Sequence, residues 1–146
     1  MKKKGFFWWV VFILLCIWQF PQLLIGLIMW PFLGKKKLAA DRHFNFCWRG
    51  EKMSGGISLG PISYVSKWSG YASIAHEVDG HTWDSKLMGP CYLLVVGLPS
   101  ILNAMFNFTK CYYSWYPEVW ANKHAKLKVN ERCYLDVTPD TIIQDL

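Results

Sequence analysis

Acidic residues are scarce: 10 Asp and Glu face 16 Lys and Arg in 146 residues, for a formal net charge of +6. Charged residues make up only 18% of the chain, below the roughly 25% usual for soluble globular domains. With 53% hydrophobic residues, that excludes a disordered chain or a solvated tail. A nucleic-acid partner is not implied either, because the basic excess is concentrated. The first 34 residues hold three lysines and no acid, which leaves 13 bases against 10 acids, or +3, for the remainder. Cysteine is present without a usable pattern: Cys16, Cys47, Cys91, Cys111 and Cys133 are odd in number and include no C-x-x-C pair. Free buried thiols are expected, and any metal has to be held by histidines and carboxylates. Internal repeats and low-complexity segments are absent.

What the chain has in abundance is apolar sequence. Residues 6–33, FFWWVVFILLCIWQFPQLLIGLIMWPFL, carry no charge and lie between Lys2, Lys3, Lys4 and Lys35, Lys36, Lys37. As one helix the run would reach about 42 Å, more than the roughly 30 Å hydrocarbon core, so it is expected to be a retained membrane helix, tilted or kinked at Pro21. A cleaved leader would have a shorter apolar region. A shallow hairpin or interfacial helix is the alternative, because Gln19, Pro21 and Gln22 interrupt the run. Lysines and arginines are slightly more numerous after the segment than before it, which favours the C-terminal part on the cytoplasmic side.

Residues 43–66 mix aromatic and β-branched residues with Gly50, Gly55, Gly56 and a Gly60-Pro61 step, and predict two or three short strands. A helix is predicted over 71–87, with Ser69 as a plausible N-cap. Residues 87–109 are a second uncharged stretch, in which Gly97-Leu98-Pro99-Ser100 is expected to fold the chain back. Another helix is predicted from Pro117 to about Lys128, followed by a tail with little structure.

Two of the four histidines lie in HEVDGH, residues 76–81. In the common zinc-protease motif the histidines are four apart, about 40° around a helix, so one face offers both to a metal and the adjacent glutamate acts as general base. Here they are five apart, about 140°, and a regular helix cannot chelate with them. A π-bulge absorbs one residue and restores the shared face. Gly80 would ease that distortion, and Asp79 is the residue expected to bulge.

The hexapeptide resembles the HEXXGH motif of the dipeptidyl-peptidase III family, zinc peptidases of gluzincin type whose active helix carries the same insertion. PEVWANKHA, at 117–125, resembles the later gluzincin element in which a glutamate is the third ligand and an acid or amide four positions on supports a ligating histidine. The resemblance implies Zn2+ held by His76, His81 and Glu118, with Asn122 as the supporting residue and Glu77 as the general base. ISLGPISYVS resembles the edge strand to which gluzincins add the substrate backbone, a form of β-augmentation. GHTWDSKLMGPCYLLVVGLPS also resembles small bacterial membrane-associated proteins that carry a shorter HExGH motif. Tyr112, Tyr113, Tyr116 and His124 are candidates for oxyanion stabilisation, and spacing does not choose among them. Asp84 and Ser85 read as solvated or helix-end residues, His43 as a surface or strand residue, and His124 as a helix-end cation.

The expected fold class is α+β: an N-terminal membrane segment over 1–37, then a small zincin-like domain over 38–146 with a short antiparallel sheet and two or three helices, its stretch 91–108 re-entrant. The expected function is membrane-associated, zinc-dependent hydrolysis of peptide bonds in a peptide or protein substrate, with the lipid bilayer as the other partner. The alternative is a non-catalytic membrane interaction protein with a structural or vestigial metal site. Oligomeric state is not encoded legibly.

Overall fold

The N-terminal apolar run does not form one helix. In the computed structural model, which describes residues 5–34 and 36–140, α1 (Phe6–Trp18) and α2 (Phe20–Leu33) meet at Gln19 with a bend of 95°. Pro21 occupies the first turn of α2, where its missing N–H is no loss. Packing supplies the rest of the cause. Gln19 and Gln22 are buried although they sit in apolar sequence, and both reach Ser85: Ser85 Oγ donates to Gln19 Oε1 at 2.7 Å, and Gln22 Nε2 donates to Ser85 Oγ at 3.0 Å and to the Gly89 carbonyl at 2.8 Å. Among the described residues no single helix is long and apolar enough to cross a membrane, so the expected spanning helix is corrected to a bent pair. Lys2, Lys3, Lys4 and Lys35 lie outside the described residues.

Four strands follow: β1 (Lys36–Arg42), β2 (Asn45–Gly50), β3 (Gly56–Leu59) and β4 (Ile62–Ser66), in the order β1-β2-β4-β3. The β1–β2 and β3–β4 pairs are antiparallel, but β2 and β4 run parallel, so the sheet is mixed rather than purely antiparallel. Burial decides the order. Every residue of β4 is buried and belongs in the centre, whereas β3 begins at the exposed Gly56 and tolerates the edge. Tyr64 on β4 donates its hydroxyl to the Gly26 carbonyl of α2 at 2.7 Å, and Leu59, Ile62 and Tyr64 pack with Leu23, Met29 and Leu33 of α2.

The central helix runs from Tyr71 to Met88 in three parts: α3 (Tyr71–Ala75), a π-helical turn (His76–His81) and α4 (Thr82–Met88). Its N-cap is Gly70, one residue past Ser69. Ile74 and Val78 bury against Cys47 and Val65 of the sheet. After α4 a 3-10 turn, Gly89–Cys91, carries Pro90, and the chain then reverses by 119° between Cys91 and Leu93, not at Gly97–Pro99. Residues Leu93–Gly97 form a second π-turn that runs directly into α5 (Leu98–Phe106), so Pro99 falls in the first turn of that helix without breaking the chain.

α6 (Tyr116–Ala125) starts with Pro117 in its first turn. It ends before Lys128 because Lys126 adopts a left-handed conformation and Leu127–Val129 becomes β5, paired with β6 (Leu135–Val137). The tail is therefore structured as far as Val137. All five cysteines are free, but only Cys47 is buried. The architecture is α+β.

Candidate metal centre and cleft

The π-turn brings the two histidines together. Their ring centroids are 4.8 Å apart and both side chains are buried. Opposite them stands α6, admitted by Gly80: a β-carbon there would lie 2.6 Å from the Ala121 carbonyl oxygen, so only glycine lets the two helices approach this closely. Glu118, fully buried in the first turn of α6, then places Oε2 2.9 Å from His76 Nε2 and 3.5 Å from His81 Nε2. The other ring nitrogens are held from behind. Asn122 Oδ1 accepts from His76 Nδ1 at 2.8 Å and Asp84 Oδ2 accepts from His81 Nδ1 at 3.2 Å, so both rings turn Nε2 toward Glu118, where it donates to the carboxylate in the metal-free chain and would offer a lone pair to a metal ion.

The sequence reading of Asp84 and Ser85 as solvated or helix-end residues is corrected. Both are buried, Asp84 behind His81 and Ser85 against the glutamines of the α1–α2 bend. Asp84 Oδ1 also lies 3.1 Å from His124 Nδ1, which gives that histidine a partner on the far side of the centre. His43, in the β1–β2 turn, places Nε2 3.3 Å from Asp79 of the π-turn.

One supporting position had no sequence cue. Ser100 on α5 donates to Glu118 Oε1, and Tyr112 donates to Ser100 across 2.7 Å. Together with the histidines this occupies both oxygens of a fully buried carboxylate. Burial pushes the Glu118 acid up, but the bonds from His76 and His81 outweigh it and hold the group below the usual carboxylate range. For His81 burial acts downward, and the hydrogen bonds it donates to Asp84 and Glu118, with the nearby Glu77 charge, overcome it, raising the imidazole to about 10. Burial raises Glu77, opposed by the two histidines.

Glu77 is the odd member of the group. Its Oε2 is buried and has no hydrogen-bond partner among the described residues. The carboxylate lies directly over Gly56 of β3, where any β-carbon would collide with it. It faces two cavities of about 380 and 530 Å³, which share Gly56, Glu77, Ala104 and Tyr112 and so form the two arms of one cleft between β3 and α5. His81 lines the first arm, His76 and Tyr113 the second. Of the four oxyanion candidates, Tyr112 and Tyr113 line the cleft, and Tyr116 spends its hydroxyl on the Val95 carbonyl at 2.6 Å.

His76, His81 and Glu118 each offer one ligand atom, all within 4.8 Å of one another, a group able to hold a metal ion. The fit can be tested on spacing. Ligand bonds of about 2.0 to 2.1 Å in a tetrahedral site put ligand atoms about 3.3 Å apart, and the two distances from Glu118 bracket that value. The donor set of two imidazoles and one carboxylate is of the kind seen in catalytic zinc sites that keep a fourth position open. Compared with known proteins, the chain matches no family model, no curated protein and no solved structure.

Proposed function

We propose that this chain is a membrane-associated, zinc-dependent metallopeptidase. The observation that carries the reading is the position of Glu77: a buried carboxylate oxygen without a protein partner, next to a two-histidine, one-glutamate group and facing a cleft that runs along an open sheet edge. A zinc ion held by His76, His81 and Glu118 would supply Lewis-acid activation of water and of the substrate carbonyl.

The protein's own groups account for the rest. Asn122 and Asp84 fix the ring orientation of the two histidines, and Ser100 fixes Glu118. Glu77 takes one proton from the attacking water as its oxygen bonds to the carbonyl carbon, and later delivers that proton to the leaving amine as the C–N bond breaks. Burial raises its proton affinity above that of an ordinary carboxylate, against the pull of His81 and His76. The backbone of β3 receives an extended peptide by strand addition. Support for the membrane comes from α1, α2 and α5, where the large apolar side chains of Phe6, Ile17, Ile28, Phe32, Met105 and Phe106 are all exposed.

The test is the substitution Glu77→Gln in zinc-loaded, detergent-purified protein. It is expected to retain about one zinc per chain by elemental analysis and to lose peptide turnover by two orders of magnitude or more. Zinc retained with no turnover in the unsubstituted protein, on any peptide of a broad library, would favour the alternative of a non-catalytic membrane protein with a structural metal site.

A further inference from the structure

The two arms of the cleft differ in chemistry. The larger is polar, bordered by Ser54, Ser69, Asn107 and Tyr113. The smaller is apolar, walled by Ile25 of α2, Leu59 of β3, Leu93 and Leu98, and Ile101 of α5. Its inner end is buried at Tyr92 and Leu59, but its mouth is formed by residues that are also on the surface: Leu94 is 71% exposed, and Ile25, Leu98 and Ile101 are exposed as well. The mouth thus opens between α2 and α5, on the same apolar exterior that the α1–α2 pair presents.

The edge strand between the arms is open at one end only. Ser66 N donates to the Gly55 carbonyl, which makes 55 and 66 a bonded pair, and in an antiparallel ladder the backbone groups of Gly56 and Ser58 then point away from β4. At Gly56 this edge is exposed to the cleft. At Ser58 it is closed, because the buried Tyr92 hydroxyl donates to the Ser58 carbonyl at 3.0 Å. A peptide pairing with β3 is therefore held by backbone bonds at Gly56, beside Glu77. Beyond Tyr92 only apolar side chains meet it, and no backbone ladder continues there.

We infer that the substrate is a bilayer-inserted polypeptide whose scissile bond lies at a boundary, with polar sequence in the Gly56–Tyr113 arm and an apolar segment in the Ile25–Ile101 arm that enters from the lipid side. The inference rests on the peptidase reading and adds the substrate class to it. Free polar peptides fill only half of this cleft. A membrane-inserted chain fills both halves, and its apolar segment reaches the mouth without crossing water.

The experiment uses the full-length, zinc-loaded protein in detergent micelles and three internally quenched peptides with a common polar core. One carries a Leu-Leu-Phe-Leu block before the core, one carries it after, and one carries Ser-Lys-Ser-Lys on both sides, so both directions of a strand on β3 are covered. At least one apolar-flanked peptide is expected to exceed the polar one in kcat/KM by about tenfold or more. Ile101→Lys, which sets a charge in the mouth, is expected to bring that ratio close to one, and because both proteins share the same micelles, partitioning of the peptide cannot produce the change. A ratio near one in the unsubstituted protein, or one unaltered by Ile101→Lys, overturns the inference. Fluorescence anisotropy of the same peptides on Glu77→Gln separates the two levels of the argument. Tenfold tighter binding of an apolar-flanked peptide, diminished by Ile101→Lys, upholds the cleft's preference even if no turnover is found and the peptidase reading falls. Equal binding of all three peptides overturns the preference even if the enzyme is active.

Discussion

Gly80 faces Ala121 so closely that α6 rests on the backbone of the π-turn, with 2.6 Å between the Ala121 carbonyl oxygen and the place a Gly80 β-carbon would take. That contact sets the distance from which Glu118 and Asn122, one turn apart on α6, reach the two histidines. Gly80→Ala is expected to force the helices apart, destabilising the fold by about 1–3 kcal/mol and weakening zinc binding together. Denaturant melts with zinc titration of the same variant check both. Unchanged zinc affinity in a folded Gly80→Ala protein would show that α6 does not need this contact to place its ligand.

The residues behind the histidines carry a separate prediction. Asn122→Ala and Asp84→Ala each remove the acceptor that orients one ring, and each is expected to weaken zinc binding by about 10- to 100-fold while the three ligands stay in place. Competition against a fluorescent zinc chelator measures this. His76→Ala, His81→Ala and Glu118→Ala should abolish stoichiometric zinc altogether, which makes a graded series from ligand to supporting residue.

The charge state of the centre predicts opposite pH trends with and without metal. His81 is raised from its ordinary 6.5 to about 10, so its pairing stabilises the metal-free chain fully below about 6.5, and that contribution is lost as the pH rises toward 10. Glu118 is depressed, so its contribution is present above its ordinary 4.5 and is lost as the pH falls through its lower folded value. Between about pH 4.5 and 6.5 both contributions are intact. Zinc has to displace the His81 proton, so its affinity rises with pH across the window in which the metal-free chain weakens. Thermal melts from pH 6 to 9 should show Tm falling in chelator-treated protein and the gain on adding zinc growing. A zinc gain that does not vary with pH contradicts a protonated His81.

Ser85 joins the apolar N-terminal pair to the helix that bears the histidines. Ser85→Ala leaves the buried Gln19 Oε1 without its donor and removes one of two acceptors from Gln22 Nε2. A loss of about 1–3 kcal/mol is expected, read as a lowered midpoint of unfolding. Replacing Gln19, Gln22 and Ser85 together by apolar residues of similar shape should cost less than Ser85→Ala alone, because no buried polar group is then left unmet.

Local chemistry was legible in the chain alone. A spacing of five between His76 and His81 cannot share a regular helical face, so the turn between them had to be π-helical if both were to point one way, and the helix is π-helical there. Pro117 fixed the start of α6, and with it the positions of Glu118 and Asn122 one turn apart. Composition fixed an apolar N-terminal run, residues 6–33, with two amides in it. Long-range packing decided the rest. Whether Gln19 and Gln22 kink a span or turn inward depends on Ser85 and Gly89, more than sixty residues away. The second reversal falls between Cys91 and Leu93, because Pro99 sits in the first turn of α5 where it does not break the chain, and two prolines nine residues apart look equally able to break a helix on paper. The parallel pairing of β2 with β4 follows from which strand is buried on both faces. Asp84, Ser100 and Tyr92 were illegible for the same reason: a serine, an aspartate or a tyrosine acquires its role from what the fold sets against it, here Glu118, His81 and the Ser58 carbonyl.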